Sequence, residues 1–292
     1  MKKNIIYLLL MLVVVSFSAC SEDDLSSTSV IKDSQQTENG FDRWIAANLV
    51  NDYNIDLKYR MEDILSDRNY NLVPADFKKA TQLAQLVKFL CLDVYDEVTG
   101  STEFIRSYFP KMIHFVGSPA YRNNGTMILG TAEGGLMITL YNVNDIDVTD
   151  VSALNYYYFK TIHHEFAHIL HQTKPYSTDF NEISGGDYVK DSWNTTYISE
   201  DESLPYGFIS PYSSSAVDED FVELISIYVT NTAEEWENKM KKAGTNGRTT
   251  LETKFEIVYN YMLTSWNIDL NKLRDTVLQH ESKVKDFNFD NF

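Results

Sequence analysis

Four of the six histidines fall in the run Thr161-Ile162-His163-His164-Glu165-Phe166-Ala167-His168-Ile169-Leu170-His171. A helix turns about 100° per residue, so His164, His168 and His171 share one face while Phe159, Ile162, Phe166, Ile169 and Leu170 gather on the other. Imidazoles one turn apart can aim nitrogens at a single ion about 2.0–2.1 Å away, the distance zinc prefers. Glu165 is poorly angled to be a main ligand and well placed to take a proton from water beside that ion. This is the HExxH arrangement, with His164 and His168 as metal ligands and Glu165 as general base. A solvated helix face can carry the same letters by chance. The amphipathic helix, the β-rich stretch before it and an acidic helix after it favour a metal.

Hydrolytic zinc sites use three protein ligands and keep the fourth position open. In Tyr212-Ser213-Ser214-Ser215-Ala216-Val217-Asp218-Glu219-Asp220-Phe221-Val222-Glu223 the serines offer a helix start, and Glu219 and Glu223 lie one turn apart beyond it. Glu219 is expected to bind the metal and Glu223 to orient a histidine. His171 competes for the third position. It stands about 4.5 Å of rise beyond His168 and roughly 10 Å beyond His164, too far for one straight helix to supply all three donors. Asp218, Asp220 and Glu223 remain as register alternatives, and the donor types would also accept cobalt, nickel or copper. His163 points to the apolar flank, for packing or a supporting hydrogen bond. His114 reads as a satisfied core or edge residue of a strand, and His280 as a surface residue of a helix.

The elements that must carry these residues follow from periodicity. Phe41–Ile45 opens an amphipathic helix, Tyr53–Arg60 alternates like a strand, and Pro74 starts a helical pattern to about Val94. Short β-runs follow at Met112–Gly117, Thr126–Thr131 and Leu136–Val143, with hairpin turns at Asn124-Gly125 and Glu133-Gly134-Gly135. A helix is expected from about Leu154 to Gln172, then an irregular loop of about 40 residues in which Trp193 and Tyr206 are expected to pack, with lining of a substrate pocket as the alternative, then helices from Asp218 onward. Cys91, in an apolar helical stretch, reads as a buried thiol.

At 292 residues, 43% hydrophobic and 13% aromatic, with 12 Gly and 6 Pro, the chain is globular, with room for one large or two small domains. Its formal charge of −17 and lack of a basic run exclude nucleic acid as a partner. Residues 1–20 have a secretory layout: Lys2-Lys3, an apolar run from Ile5 to Val15, then Ser18-Ala19-Cys20. That run is shorter than a membrane span, and the ending is similar to a bacterial lipobox, which implies lipidation of Cys20. Residues 21–40 read as a flexible linker and 41–292 as the folded domain. The acidic Ser21-Glu22-Asp23-Asp24 is similar to a surface-export tag of Bacteroidetes lipoproteins; the expectation is an outer-membrane lipoprotein facing outward, with a periplasm-facing one as the alternative.

Together these motifs resemble gluzincin metallopeptidases, and Tyr212 with Glu219-Asp220-Phe221-Val222-Glu223 resembles the catalytic domain of anthrax lethal factor. More broadly the chain resembles the zinc-binding metallopeptidase lipoproteins of Bacteroidetes found beside SusC/SusD-type import systems. That likeness is carried by Tyr53-Asn54-Ile55, Tyr59-Arg60, Phe109-Pro110-Lys111, Gly130-Thr131-Ala132-Glu133-Gly134-Gly135, His164–Gln172 and Gly207-Phe208-Ile209-Ser210-Pro211-Tyr212. It implies an α+β zincin-like fold with a small mixed or antiparallel sheet, an HExxH helix and a mainly helical C-terminal part. It also implies Zn2+ as cofactor, a peptide or protein substrate laid along the hairpin segment 126–142, and Tyr212 as donor to the oxyanion. Two other readings stand beside it: a zincin scaffold that binds without turnover, and hydrolysis of a non-peptide amide.

Overall fold

Asn39 opens the folded chain with a capping box: its side chain accepts from the Asp42 N–H, and the Asp42 carboxylate accepts from the Asn39 N–H. Residues 40–53 then form helix α1, π-wound across Ala46–Val50. In this computed structural model the described residues are 38–290 apart from 63, 66, 68 and 124, and those from Asn39 onward belong to one compact unit. The expected signal segment, Cys20 and nearly all of the expected linker lie outside the described residues.

The stretch Tyr53–Arg60 is only partly strand. Tyr53 ends α1, Asn54 turns the chain at φ 58°, and strand β1 is Asp56–Lys58. Helix α2 covers residues 77–99, capped at its start by the Asp76 side chain rather than begun at Pro74, and stopped by Gly100 at φ 76°. Cys91 is buried within it. Glu103–Tyr108 is α3.

Six short strands follow the expected β-character. Met112–Phe115 (β2), Ala120–Tyr121 (β3), Met127–Ile128 (β4), Gly130–Glu133 (β5) and Met137–Leu140 (β6) join β1. Strands β3 and β4 pair as a separate hairpin. The main sheet has the order β1-β2-β6-β5, with β1, β2 and β6 parallel and β5 antiparallel on the edge. The expected hairpin at Gly134-Gly135 is present, both glycines having positive φ. Gly130 brings β5 close to the next helix: a Cβ there would lie 2.6 Å from Thr161 Cγ2.

That helix, α4, is Lys160–Thr173, entered through Val151–Leu154 and a π-wound turn at Asn155–Phe159. Its Phe166, Leu170 and His163 are buried as expected, but so are His164 and His171, while Ile169 is half-exposed. The one-sided reading of this helix is therefore corrected: α5, Val217–Thr230, covers the histidine face. The segment expected to be an irregular loop contains short helical turns at Asp179–Ile183, Trp193–Thr196 and Glu200–Ser203. Helices α6 (Ala233–Lys242), α7 (Gly244–Trp266) and α8 (Leu270–Glu281) complete the chain. The architecture is α+β with a mainly helical C-terminal part. Among the described residues no helix is long and apolar enough to cross a membrane.

Two histidines depart from expectation. His280 is buried, with Nδ1 against Phe89 O at 2.7 Å and Nε2 against Glu97 Oε1 at 2.8 Å, because α8 packs on α2. His114 is buried on β2 with neither ring nitrogen partnered, and that burial lowers its pKa and keeps the ring neutral.

Candidate metal centre

The α4–α5 contact brings His164, His168 and Glu219 together. His164 Nε2 stands 3.0 Å from Glu219 Oε2, and His168 Nε2 stands 3.3 Å from the same oxygen. Three donors, one from each residue, all lie within 4.8 Å of one another. Ligands about 2.0–2.1 Å from a tetrahedral ion stand about 3.3 Å apart, so the donor set and its spacing fit zinc.

The other ring nitrogens are held from behind. His164 Nδ1 meets Glu223 Oε1 at 2.9 Å, the contact expected of Glu223. His168 Nδ1 meets His171 Nε2 at 3.0 Å. To present the Nε2 lone pair, His168 must carry its proton on Nδ1 and donate it to His171. His171 therefore backs a donor and stays outside the triangle. The buried Glu223 also receives Lys160 Nζ at 3.0 Å and Ser210 Oγ at 2.6 Å. Asp220 is turned into the core onto Lys254, and Asp218 accepts from Tyr176 OH.

Electrostatics make the cluster cation-seeking. Burial opposes charge on His164, yet hydrogen bonds to Glu219 and Glu223 outweigh it and push the pKa up to about 9. Burial likewise raises Glu219, but the two imidazoles pull it down to about 2. Glu223 is held well below the usual carboxylate range, against its burial, by Lys160 and His164. Burial raises the pKa of Glu165, with His164 and His168 opposing and the Ala132 N–H donating to its carboxylate. A carboxylate moved toward neutrality suits proton transfer.

Tyr212 stands over the triangle, its ring 5.9 Å from that of His164 and 5.2 Å from Trp193. Burial pushes its pKa up to about 12, so it is a hydroxyl and a donor at neutral pH, and the Arg122 side chain hydrogen-bonds to it. Trp193 lines the cleft as well as packing, whereas Tyr206 is exposed against Tyr197. The cleft has two arms that meet at His164, Glu165 and Tyr212. One, of about 290 Å³, is bounded by Gly134, Gly135 and Ile169; the other, of about 800 Å³, by Met127, Ile128 and Trp193.

The sequence-expected His164, Glu165, His168, Tyr212, Glu219 and Glu223 are thus assembled in one place, and His163 is not. His163 is buried on the apolar flank with Nδ1 3.1 Å from Tyr95 OH. The expected serine helix start is corrected. Helix α5 begins at Val217 after Ala216 with no side-chain cap, and the Tyr212–Ser214 turn is braced by Ser210–Ser213 hydrogen bonds instead. Sequence reasoning missed Lys160, Ser210, Arg122 and the role of His171. Lys160 was findable, one turn before His164 on the same face; Ser210 and Arg122 come from distant loops and carry no local signal.

Over residues 33–271 the chain matches the family described as "putative zinc-binding metallo-peptidase". Among solved structures it is similar to a crystal structure described in the same words, from Bacteroides caccae. Identity is 44% and the TM-score 0.77, over 90% of this chain and 99% of that one. No curated protein matches. Matched over most of its length by the family and over nearly all of a 44% identical relative, the chain belongs to this zinc-binding metallo-peptidase family.

Proposed function

We propose that this protein is a zinc-dependent peptidase, with His164, His168 and Glu219 holding the metal, Glu165 as general base and acid, and Tyr212 as donor to the oxyanion. The observation that carries this reading is the Nε2–Nε2–Oε2 triangle with both Nδ1 atoms already held, which turns the inner donors toward one point. Zinc, when bound there, supplies a Lewis acid that polarises the substrate carbonyl and acidifies water. Glu165 accepts the proton from the attacking water at its carboxylate and returns it to the leaving amine, a task for which its raised pKa suits it. Tyr212 keeps its proton at neutral pH and offers it to the oxygen that gains charge. The outer edge of β5 runs beside Glu165, where an extended peptide can add as a further strand.

The same proposal places the protein outside the cytoplasm as an outer-membrane lipoprotein anchored through Cys20 and facing outward, beside a SusC/SusD-type import system. The leader Lys2–Cys20 supports the anchor and the family resemblance supports the import setting.

A pool of peptides and a set of non-peptide amides, each incubated with the protein before and after chelation and zinc return, test the activity. Peptide hydrolysis lost on chelation and restored by zinc is expected. Protein that carries one zinc yet cleaves no peptide, or cleaves only the non-peptide amides, contradicts the proposal.

A further inference from the structure

We propose that the larger arm of the cleft receives the residues C-terminal to the cleaved bond and that Arg122 recognises a carboxylate there. Preferred substrates then carry a bulky apolar residue followed closely by an acidic side chain or a free C-terminus. This rests on the peptidase reading above.

Direction comes from the edge strand. Antiparallel pairing is the more stable per residue, and a peptide antiparallel to β5 runs with its C-terminal half toward Gly130 and away from Gly134-Gly135. The arm of about 800 Å³ lies at the Gly130 end. Met127, Ile128, Trp193 and Ile198 give its wall apolar surface. Ile198 is 79% exposed and Tyr156, also on the arm, is 61% exposed. Large apolar side chains left in water around a concave site mark a ligand surface.

Charge supplies the second half. Two cations line the arm, Arg122 and Lys160. Lys160 is committed to Glu223, and the arm's Glu200 is committed to Lys239. Arg60 and Arg248 each grip a carboxylate. Arg122 makes no ion pair among the described residues; its side chain bonds to the Tyr212 hydroxyl, and one such bond uses only part of a guanidinium's five N–H donors. In a chain with 42 acidic and 25 basic side chains, an arginine without a carboxylate beside an apolar pocket is available for a substrate's carboxylate, which its planar fork fits two-pronged.

The test is binding to the full chain carrying Glu165→Gln and loaded with zinc, measured by calorimetry. Three peptides serve as probes: acetyl-Ala-Gly-Phe-Glu-Ala-amide, acetyl-Ala-Gly-Phe-Ala with a free C-terminus, and the amide of the latter. A carboxylate-bearing peptide is expected to bind about 10- to 100-fold more tightly than the amide. Adding Arg122→Gln is expected to remove that advantage. Replacing the peptide's Phe by Gly weakens all three. A gain confined to the free acid assigns Arg122 to chain termini and one confined to the glutamate peptide assigns it to acidic side chains, and either supports the site. Equal binding of acid and amide, no binding of any peptide, or a preference that survives Arg122→Gln overturns it. If the parent chain cleaves none of the peptides while the Arg122-dependent preference persists, the peptidase reading fails and the carboxylate site stands.

Discussion

His171 sits where a carboxylate, a carbonyl or water usually supports a metal-bound imidazole. Its Nε2 accepts from His168 Nδ1, so it must itself be neutral to hold His168 in the metal-binding tautomer. Burial lowers its pKa in that direction. Losing such a support typically weakens metal binding about 10- to 100-fold, whereas losing a donor removes a whole coordinate bond. Zinc titration is therefore expected to show His171→Ala still taking up one zinc with lower affinity, and Glu219→Ala weakened further. The reverse order would put the third donor on α4. Tyr212→Phe keeps the ring against Trp193 and loses only the hydroxyl. Turnover should fall about 10²–10³-fold with KM nearly constant, read from steady-state kinetics; an unchanged kcat would make this tyrosine structural.

At the scale of elements, the position of α5 decides whether Glu219 reaches the histidines. Its next residue, Asp220, is fully buried on Lys254 Nζ of α7 at 2.6 Å, and Tyr188 donates to the same oxygen at 3.0 Å. Lys254 also donates to Gly207 O at 2.7 Å and so ties α5 and α7 to the segment leading to Tyr212. Removing one partner strands a buried charge, so Lys254→Met should lower unfolding stability by about 3–5 kcal/mol in denaturant titration, and adding Asp220→Leu should recover much of it. A Lys254→Met protein as stable as the parent would show the pair to be incidental. Neither this pair nor the sheet order was legible in the sequence. Periodicity shows that Met112–Phe115 and Met137–Leu140 are strands, but the parallel pairing of β2 with β6 is a long-range choice with no local mark. The ligand helix was legible because HExxH and E-x-x-x-E each sit within one turn. His280 was misread because one helix's polar face says nothing about what packs on it.

For the whole molecule, the site residues and the helical C-terminal part were expected from sequence, whereas the burial of polar groups was not. Glu281 on α8 is one such group: Asn155 Nδ2 donates to it at 2.9 Å, and burial pushes its pKa up to about 7 from 4.5. An acid raised in the fold binds protons more tightly folded than unfolded, so stability falls as pH rises from about 4.5 to about 7. The loss is up to about 3 kcal/mol, and Glu281→Gln should flatten that part of the profile. A variant with the parent's pH profile would refute the assignment.

The central claim is that zinc held between α4 and α5 works with Glu165 as the proton carrier. It is tested most directly by zinc content and peptide hydrolysis measured on the same samples of the parent chain and Glu165→Gln. Glu165 lines the cleft beside the donor triangle and is not part of it. The expected result is one zinc in each protein and hydrolysis about 10²–10⁴-fold slower in the variant. A variant that keeps both its zinc and the parent's rate would contradict the mechanism.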